Sequence, residues 1–211
     1  MKLFYAAIAL LAVLAQTTPP AQPPQVPQPP QPQRGGGRGG GRGGVQPLTL
    51  TTSGWTDGGV IPGKYAQPGH DVSPPLAWSW VTATPPDNVA SFVLIVHDLD
   101  APIGNGTDDL LLWLLWNIPV SMRQLPEGVP QGATLPDGTR QISATGPNYR
   151  GPAAPASGQP HHYVFEIYAL DTMLDVAAVG AAPPQTRAAV LAAMAGHVRG
   201  KGVYIGTYRR S

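Results

Sequence analysis

The sequence predicts a mostly-β fold of two sheets with a helix near the C-terminus. Three observations carry this. Residues 91–97 and 110–118 are continuous apolar runs, the pattern of strands covered on both faces. Residues 162–170 form a third run, dense in aromatic and branched side chains. Only residues 186–198 combine helix formers with a start signal, Pro183-Pro184, and a stop signal, Gly200.

The elements follow in chain order. Residues 1–15 read as a signal peptide: Lys2 supplies the positive charge, residues 3–14 are apolar, and Val13-Leu14-Ala15 fits a cleavage site. The apolar stretch is short for the ~20 residues of a membrane span. Residues 16–33 are Pro and Gln with almost nothing apolar, and residues 34–44 place Arg34, Arg38 and Arg42 among glycines. Such a segment cannot bury a core, so 16–44 is expected to be a disordered tether. The domain then runs over residues 45–211, enough for one hydrophobic core. Within it, residues 48–52 alternate and are β-branched, a strand signal. Residues 53–90 are rich in Gly, Pro, Asp and Trp and fit short strands and ordered loops. The runs at 91–97, 110–118 and 162–170 are the main strands, and residues 202–208 the last.

Composition removes several function classes. The chain of 211 residues has no Cys, which excludes a disulfide framework, a thiol nucleophile, a Cys-ligated zinc, an iron–sulfur cluster and a lipoprotein anchor. All 12 Asp and Glu fall in residues 45–211, against nine Lys and Arg there, a net charge of −3. The domain therefore lacks the basic footprint of a nucleic-acid binder. The Arg-Gly tail has three arginines, too few for much phosphate neutralisation. No P-loop, GxGxxG, HExxH or nucleophile elbow is present.

Two segments carry candidate chemistry. Asp98-Leu99-Asp100-Ala101-Pro102 closes a buried strand, and two carboxylates at i and i+2 share a side if the chain stays extended. They form a polar site at the strand end, or they serve a strand-end turn by holding loose N–H groups. Gly151-Pro152-Ala153-Ala154-Pro155 precedes His161-His162-Tyr163. The loop is stiff, and its carbonyls are free to act as acceptors. A strand starting at His161 points His161, Tyr163 and Phe165 one way, and His162, Val164 and Glu166 the other. His161 and Tyr163 then form a donor pair for an anion or a carbonyl, or a satisfied core His beside a solvent His. Adjacent His residues diverge on a strand, which is poor spacing for a metal.

Seven runs, in order, resemble one known family. They are Asp57-Gly-Gly-Val-Ile-Pro62, Gly69-His-Asp-Val-Ser-Pro-Pro-Leu-Ala-Trp78, His97-Asp98-Leu-Asp100-Ala-Pro102, Trp116-Asn-Ile-Pro119, Gly151-Pro-Ala-Ala-Pro155, His161-His-Tyr-Val-Phe-Glu-Ile-Tyr-Ala-Leu-Asp171 and Gly206-Thr-Tyr-Arg209. Together they resemble the phosphatidylethanolamine-binding proteins, in particular the bacterial Raf kinase inhibitor-like branch. The resemblance covers residues 46–210. It implies a two-sheet β-sandwich with C-terminal helical elements and a small pocket for phosphoryl or carboxylate-type anions. Carried onto this chain, the pocket uses Asp98 and Asp100, with Gly151 and Pro152 as its wall and His161 and Tyr163 as polar contacts. It implies no cofactor and no metal.

The chain departs from the family pattern at four places. Leu99 stands where the family has Pro, Asp71 where it has Asn, and His162 where it has Arg. Leu112 stands where a His usually contributes to the pocket. That Leu removes one donor, which weakens anion binding.

The resulting expectation is an exported, non-enzymatic binding module, periplasmic or secreted, with no membrane span after signal cleavage. Its partner is a small anionic ligand or a phospholipid head group. The alternative is a protein-interaction or serine protease inhibitor module with an incidental pocket. Acid/base hydrolysis at Asp98 and His161 ranks last, because no nucleophile or metal set accompanies them.

Overall fold

The two longest strands, β3 (Ser91–Ile103) and β4 (Asp108–Pro119), form an antiparallel pair. The computed structural model describes residues 44–211; the segments expected to be a signal peptide (1–15) and a tether (16–44) lie, up to residue 43, outside the described residues. The other strands are β1 (Gln46–Thr51), β2 (Leu76–Trp80), β5 (Gln124–Leu125), β6 (Arg140–Ile142), β7 (His161–Leu170) and β8 (Val198–Tyr208). One helix, α1 (Pro183–Met194), lies between β7 and β8 in sequence.

The mostly-β expectation holds, with one difference in architecture. The strands do not separate into two sheets but follow one continuous order, β5-β2-β1-β8-β7-β3-β4-β6. The joint is β1. Its first residues pair in parallel with β8, Gln46 to Gly200 and Pro47 to Lys201, while Leu48 to Thr51 pair antiparallel with β2. The order curls, so that Leu48 and Leu50 of β1 and Trp78 of β2 share a core with Phe92, Leu94, Phe165 and Ile167 of the central strands.

Burial on both faces explains the unbroken apolar runs. Along β3, Phe92, Leu94 and Val96 enter the inner core, while Val93 and Ile95 enter a second core under α1 with Val190 and Met194. A strand with two dry faces cannot alternate polar and apolar residues. In β4 the register slips between the pairs Val96–Trp113 and His97–Leu111. Leu112 is the extra residue of this bulge, and both Leu112 and Trp113 join the inner core.

The helix starts and ends earlier than expected over 186–198. Pro183 and Pro184 occupy its first positions, where their missing N–H groups cost nothing. Ala195 leaves helical geometry and Gly196 sits at φ 82°, so the chain turns before Val198 opens β8. The short strands β5 and β6 were not expected.

Several runs singled out in the sequence prove to be joints of the fold. Asp57 accepts a hydrogen bond from the Ile205 N–H at 2.8 Å, and around Thr207 of β8 the Ile61 N–H donates to its carbonyl and its own N–H donates to the Gly59 carbonyl, both at 2.8 Å. Gly206 is required there, because a Cβ would stand 2.4 Å from Ile61. Asn117 adopts φ 58°, and its side chain bonds both the N–H and the carbonyl of Leu174, at 2.8 and 3.0 Å. It thereby completes two buried backbone groups beyond the end of β7.

Candidate functional site

Three neighbouring strands bring the candidate side chains together. Asp98 of β3 lies beside Leu110 of β4 on one side and Tyr163 of β7 on the other. Tyr163 and His161 are two apart on β7 and share a face, with nearly parallel rings 6.4 Å between centroids. Asp98 is 3% exposed and Tyr163 fully buried. Both Asp98 oxygens face His161 Nδ1, at 2.9 and 3.0 Å. A carboxylate only accepts, so Nδ1 carries the proton and Nε2 is the ring atom left for a ligand. Asp98 also accepts the Asp100 N–H at 3.0 Å. The Tyr163 hydroxyl accepts the Ala154 N–H at 3.1 Å. Burial first, and then the negative charge of Asp98, push the Tyr163 phenol well above its ordinary range, so it stays a neutral donor.

The loop over residues 149–155 closes the site. Its Arg150 N–H donates to the Leu112 carbonyl at 3.0 Å. Tyr149 packs edge-on against Trp113 and donates its hydroxyl proton to the Tyr65 carbonyl at 3.0 Å. The Gly151 N–H donates to Asp71 at 2.7 Å. Asp71 stands at φ 56°, a conformation that Asp and Asn tolerate better than other residues, which accounts for Asp replacing Asn there. No residue but glycine fits at 151: a Cβ would lie 2.6 Å from the Ala66 carbonyl carbon.

These parts enclose a cavity of about 170 Å³ lined by Asp98, Leu112, Arg150, Gly151, His161 and Tyr163, with Ala101, Leu110 and the 153–155 segment. Five of the seven sequence-selected residues thus meet. The other two do not line it. Asp100 was expected on the same side as Asp98, but the β3–β4 register slips between Asp98 and Pro102. Asp100 turns outward instead and binds the N–H and Nδ1 of His162, at 2.6 and 2.9 Å. That backbone bond, with the His162 ring, lowers its pKa below the usual carboxylate value. Pro152 stands behind the wall, and its carbonyl, expected to be free, accepts the Gln67 N–H at 3.1 Å. The Ala154 carbonyl is likewise taken, by the Arg210 N–H at 3.1 Å. Arg150 was not singled out in the sequence. Its only local signal is that it directly precedes the Gly-Pro run.

The opposite face of the same strands carries a charged chain. His97, next to Asp98, donates from Nδ1 to Asp109 at 2.6 Å, and its Nε2 lies 3.4 Å from Glu166 outside hydrogen-bond geometry. Asp109 pairs with Arg187 of α1, and Glu166 with Lys201 of β8 at 2.7 Å. Burial alone would lower the His97 pKa, but Glu166 and Asp109 overturn it and hold it above the ordinary value. Burial would likewise raise Glu166, yet His97 and Lys201 hold it down at about 2.

A larger cavity, about 480 Å³, lies between α1 and the β3–β4 turn. Its lining is mainly apolar, and its Asp109 and Arg187 bind each other. None of the sequence-selected residues reaches it. A ligand site needs convergent polar groups as well as volume, and the selected His, Asp and Tyr converge on the smaller cavity, which is the candidate. Among the described residues no cluster of His, Asp and Glu has the arrangement to hold a metal ion. No helix among them is long and apolar enough to cross a membrane.

Comparison with known proteins agrees with this architecture. The family model for phosphatidylethanolamine-binding proteins matches residues 51–209. A UPF0098 protein of Methanothermobacter thermautotrophicus is 40% identical over 165 residues, covering 77% of this chain and 99% of its own length. Escherichia coli YbhB, also a UPF0098 protein, is 35% identical over 134 residues, covering 59% of this chain and 78% of its own length. The crystal structure of a phosphatidylethanolamine-binding protein homologue from Chlamydia trachomatis superposes with a TM-score of 0.62 at 30% identity, covering 79% of this chain and all of that one. Escherichia coli YbcL shares the fold, with a TM-score of 0.64 at 23% identity over 78% of this chain and 99% of that one.

Proposed function

The chain belongs to the phosphatidylethanolamine-binding protein family, and we propose that it is an exported, non-enzymatic binding module whose cavity takes phosphoryl or carboxylate-type anions. The observation that carries this reading is the pair of buried Asp98 and half-buried His161 beside Tyr163 in the lining of a cavity of about 170 Å³. Asp98 fixes the imidazole and leaves Nε2 toward a ligand. His161, when protonated, donates to an oxyanion and offsets the Asp98 charge that would repel it. The volume suits a small anion or the phosphoryl part of a head group.

The wall opposite is less polar. Leu112 is 1% exposed and presents methyl groups where the family usually has a His. A hydrogen bond to a charged group is worth about 1.5–3 kcal/mol, so its loss weakens affinity roughly 10- to 100-fold. On this reading the His161–Asp98 pair serves binding without turnover. Export is supported by the leader over residues 1–15, and the lack of Cys leaves no lipid attachment point. The test is an NMR titration of the labelled protein with inorganic phosphate. Saturable shifts are expected at Asp98, Gly151, His161 and Tyr163; shifts confined to other residues would contradict the reading.

A further inference from the structure

We propose that Arg150 is the principal anion-binding residue of this cavity, supplying the donor that Leu112 lacks and favouring anions with two terminal oxygens on one atom. The inference rests on the anion reading of the cavity. Arg150 belongs to the cavity wall and is only half-buried. Its N–H is bonded to the Leu112 carbonyl at 3.0 Å, which fixes it beside the residue that has lost its donor.

Its side chain is also unengaged. Arg187 pairs with Asp109 and Arg199 with Asp171, but among the described residues the Arg150 guanidinium has neither an ion pair nor a hydrogen bond. The carboxylate of the cavity and the one bonded to its wall have other partners: Asp98 binds His161 and the Asp100 N–H, and Asp71 the Gly151 N–H. A guanidinium carries five donors in a planar fork that matches phosphoryl and carboxylate oxygens two at a time. An unpaired fork on a residue that lines the same cavity as His161 and Tyr163 puts three kinds of donor within reach of one anion.

Lysine does not reproduce this. It offers a point charge without the fork, so it retains charge attraction and loses the bidentate fit. The expected order of phosphate affinity is therefore the unmodified protein, then Arg150→Lys, then Arg150→Gln.

The experiment titrates inorganic phosphate and acetate calorimetrically into the full chain and these two variants, with thermal midpoints as a folding control. At least a tenfold loss of phosphate affinity is expected for Arg150→Gln at an unchanged midpoint, with Arg150→Lys between. A second arm measures sedimentation with vesicles of phosphatidylethanolamine and phosphatidic acid. Arg150-dependent vesicle binding identifies a lipid head group as the source of the oxyanion. Arg150-dependent binding of free phosphate alone identifies a soluble one. If Arg150→Gln binds phosphate as the unmodified protein does, the role of Arg150 is overturned while the cavity reading stands. If the unmodified protein binds neither anion, the cavity reading falls and takes this inference with it.

Discussion

Replacing Glu166 by Gln removes one carboxylate from the chain of charges behind the site, and its effect on stability depends on pH. Glu166 is held at about 2 against an ordinary 4.5, with its side chain 17% exposed. A depressed carboxyl stabilises the fold fully above its unfolded pKa, and that stabilisation is lost as pH falls toward the folded value. The full span corresponds to about 3 kcal/mol at 1.36 kcal/mol per unit, of which about 2 kcal/mol is already lost on going from pH 6 to pH 3. In the unmodified protein His97 does not blur this window. Its pKa is raised, so its contribution is complete below pH 6.5 and is lost only as pH rises through the folded value. Urea unfolding of the protein and of Glu166→Gln at pH 6, 4.5 and 3 measures the difference. The variant should be less stable at pH 6 by about 3 kcal/mol, and the gap should narrow by about 2 kcal/mol at pH 3. Parallel curves, with a constant gap over that range, would refute the reasoning.

Three other perturbations test separate parts of the structure. Leu112→His should raise phosphoethanolamine affinity at least tenfold, about 1.4 kcal/mol, and more at pH 6 than at pH 8, because an imidazole there adds a donor and gains a charge as it protonates; calorimetry at both pH values checks it. Asn117→Ala should cost roughly 2–4 kcal/mol in urea unfolding, because it strands two buried Leu174 groups and puts Ala, which tolerates the left-handed region less well than Asn, at φ 58°. Asn117→Gly keeps the turn and should cost less. Gly151→Ala should lower the thermal midpoint by several degrees and weaken phosphate binding together, since the wall must move away from Ala66 to admit a methyl.

The strands were legible because burial on both faces writes itself into the sequence: Phe92 to Val96 and Leu111 to Trp116 leave no polar face to misread. The continuous sheet was not legible, since it depends on two residue pairs at Gln46 and Pro47. Strands as short as β5 and β6 carry no period. The helix end was misplaced because Gly196, not Gly200, takes the positive φ. At the site, alternation along β7 placed His161 and Tyr163 correctly, and the spacing of the family runs placed Asp98, Leu112 and Gly151. Asp100 was misplaced because the i, i+2 rule assumes a regular strand, and the pairing of β3 slips just after Asp98. Arg150 escaped notice because a lone arginine in a loop has no pattern. The role proposed for it rests on a carbonyl partner 38 residues upstream and on a side chain with no ion pair or hydrogen bond among the described residues.

The central claim is that the cavity around Asp98, His161 and Tyr163 is where this protein holds its ligand. The most direct measurement is a crystal structure of the protein grown with phosphoethanolamine. The account predicts a phosphoryl group inside that cavity, within hydrogen-bond distance of His161 Nε2 and the Arg150 guanidinium. An empty cavity, with the ligand bound in the larger groove beside α1, would contradict it.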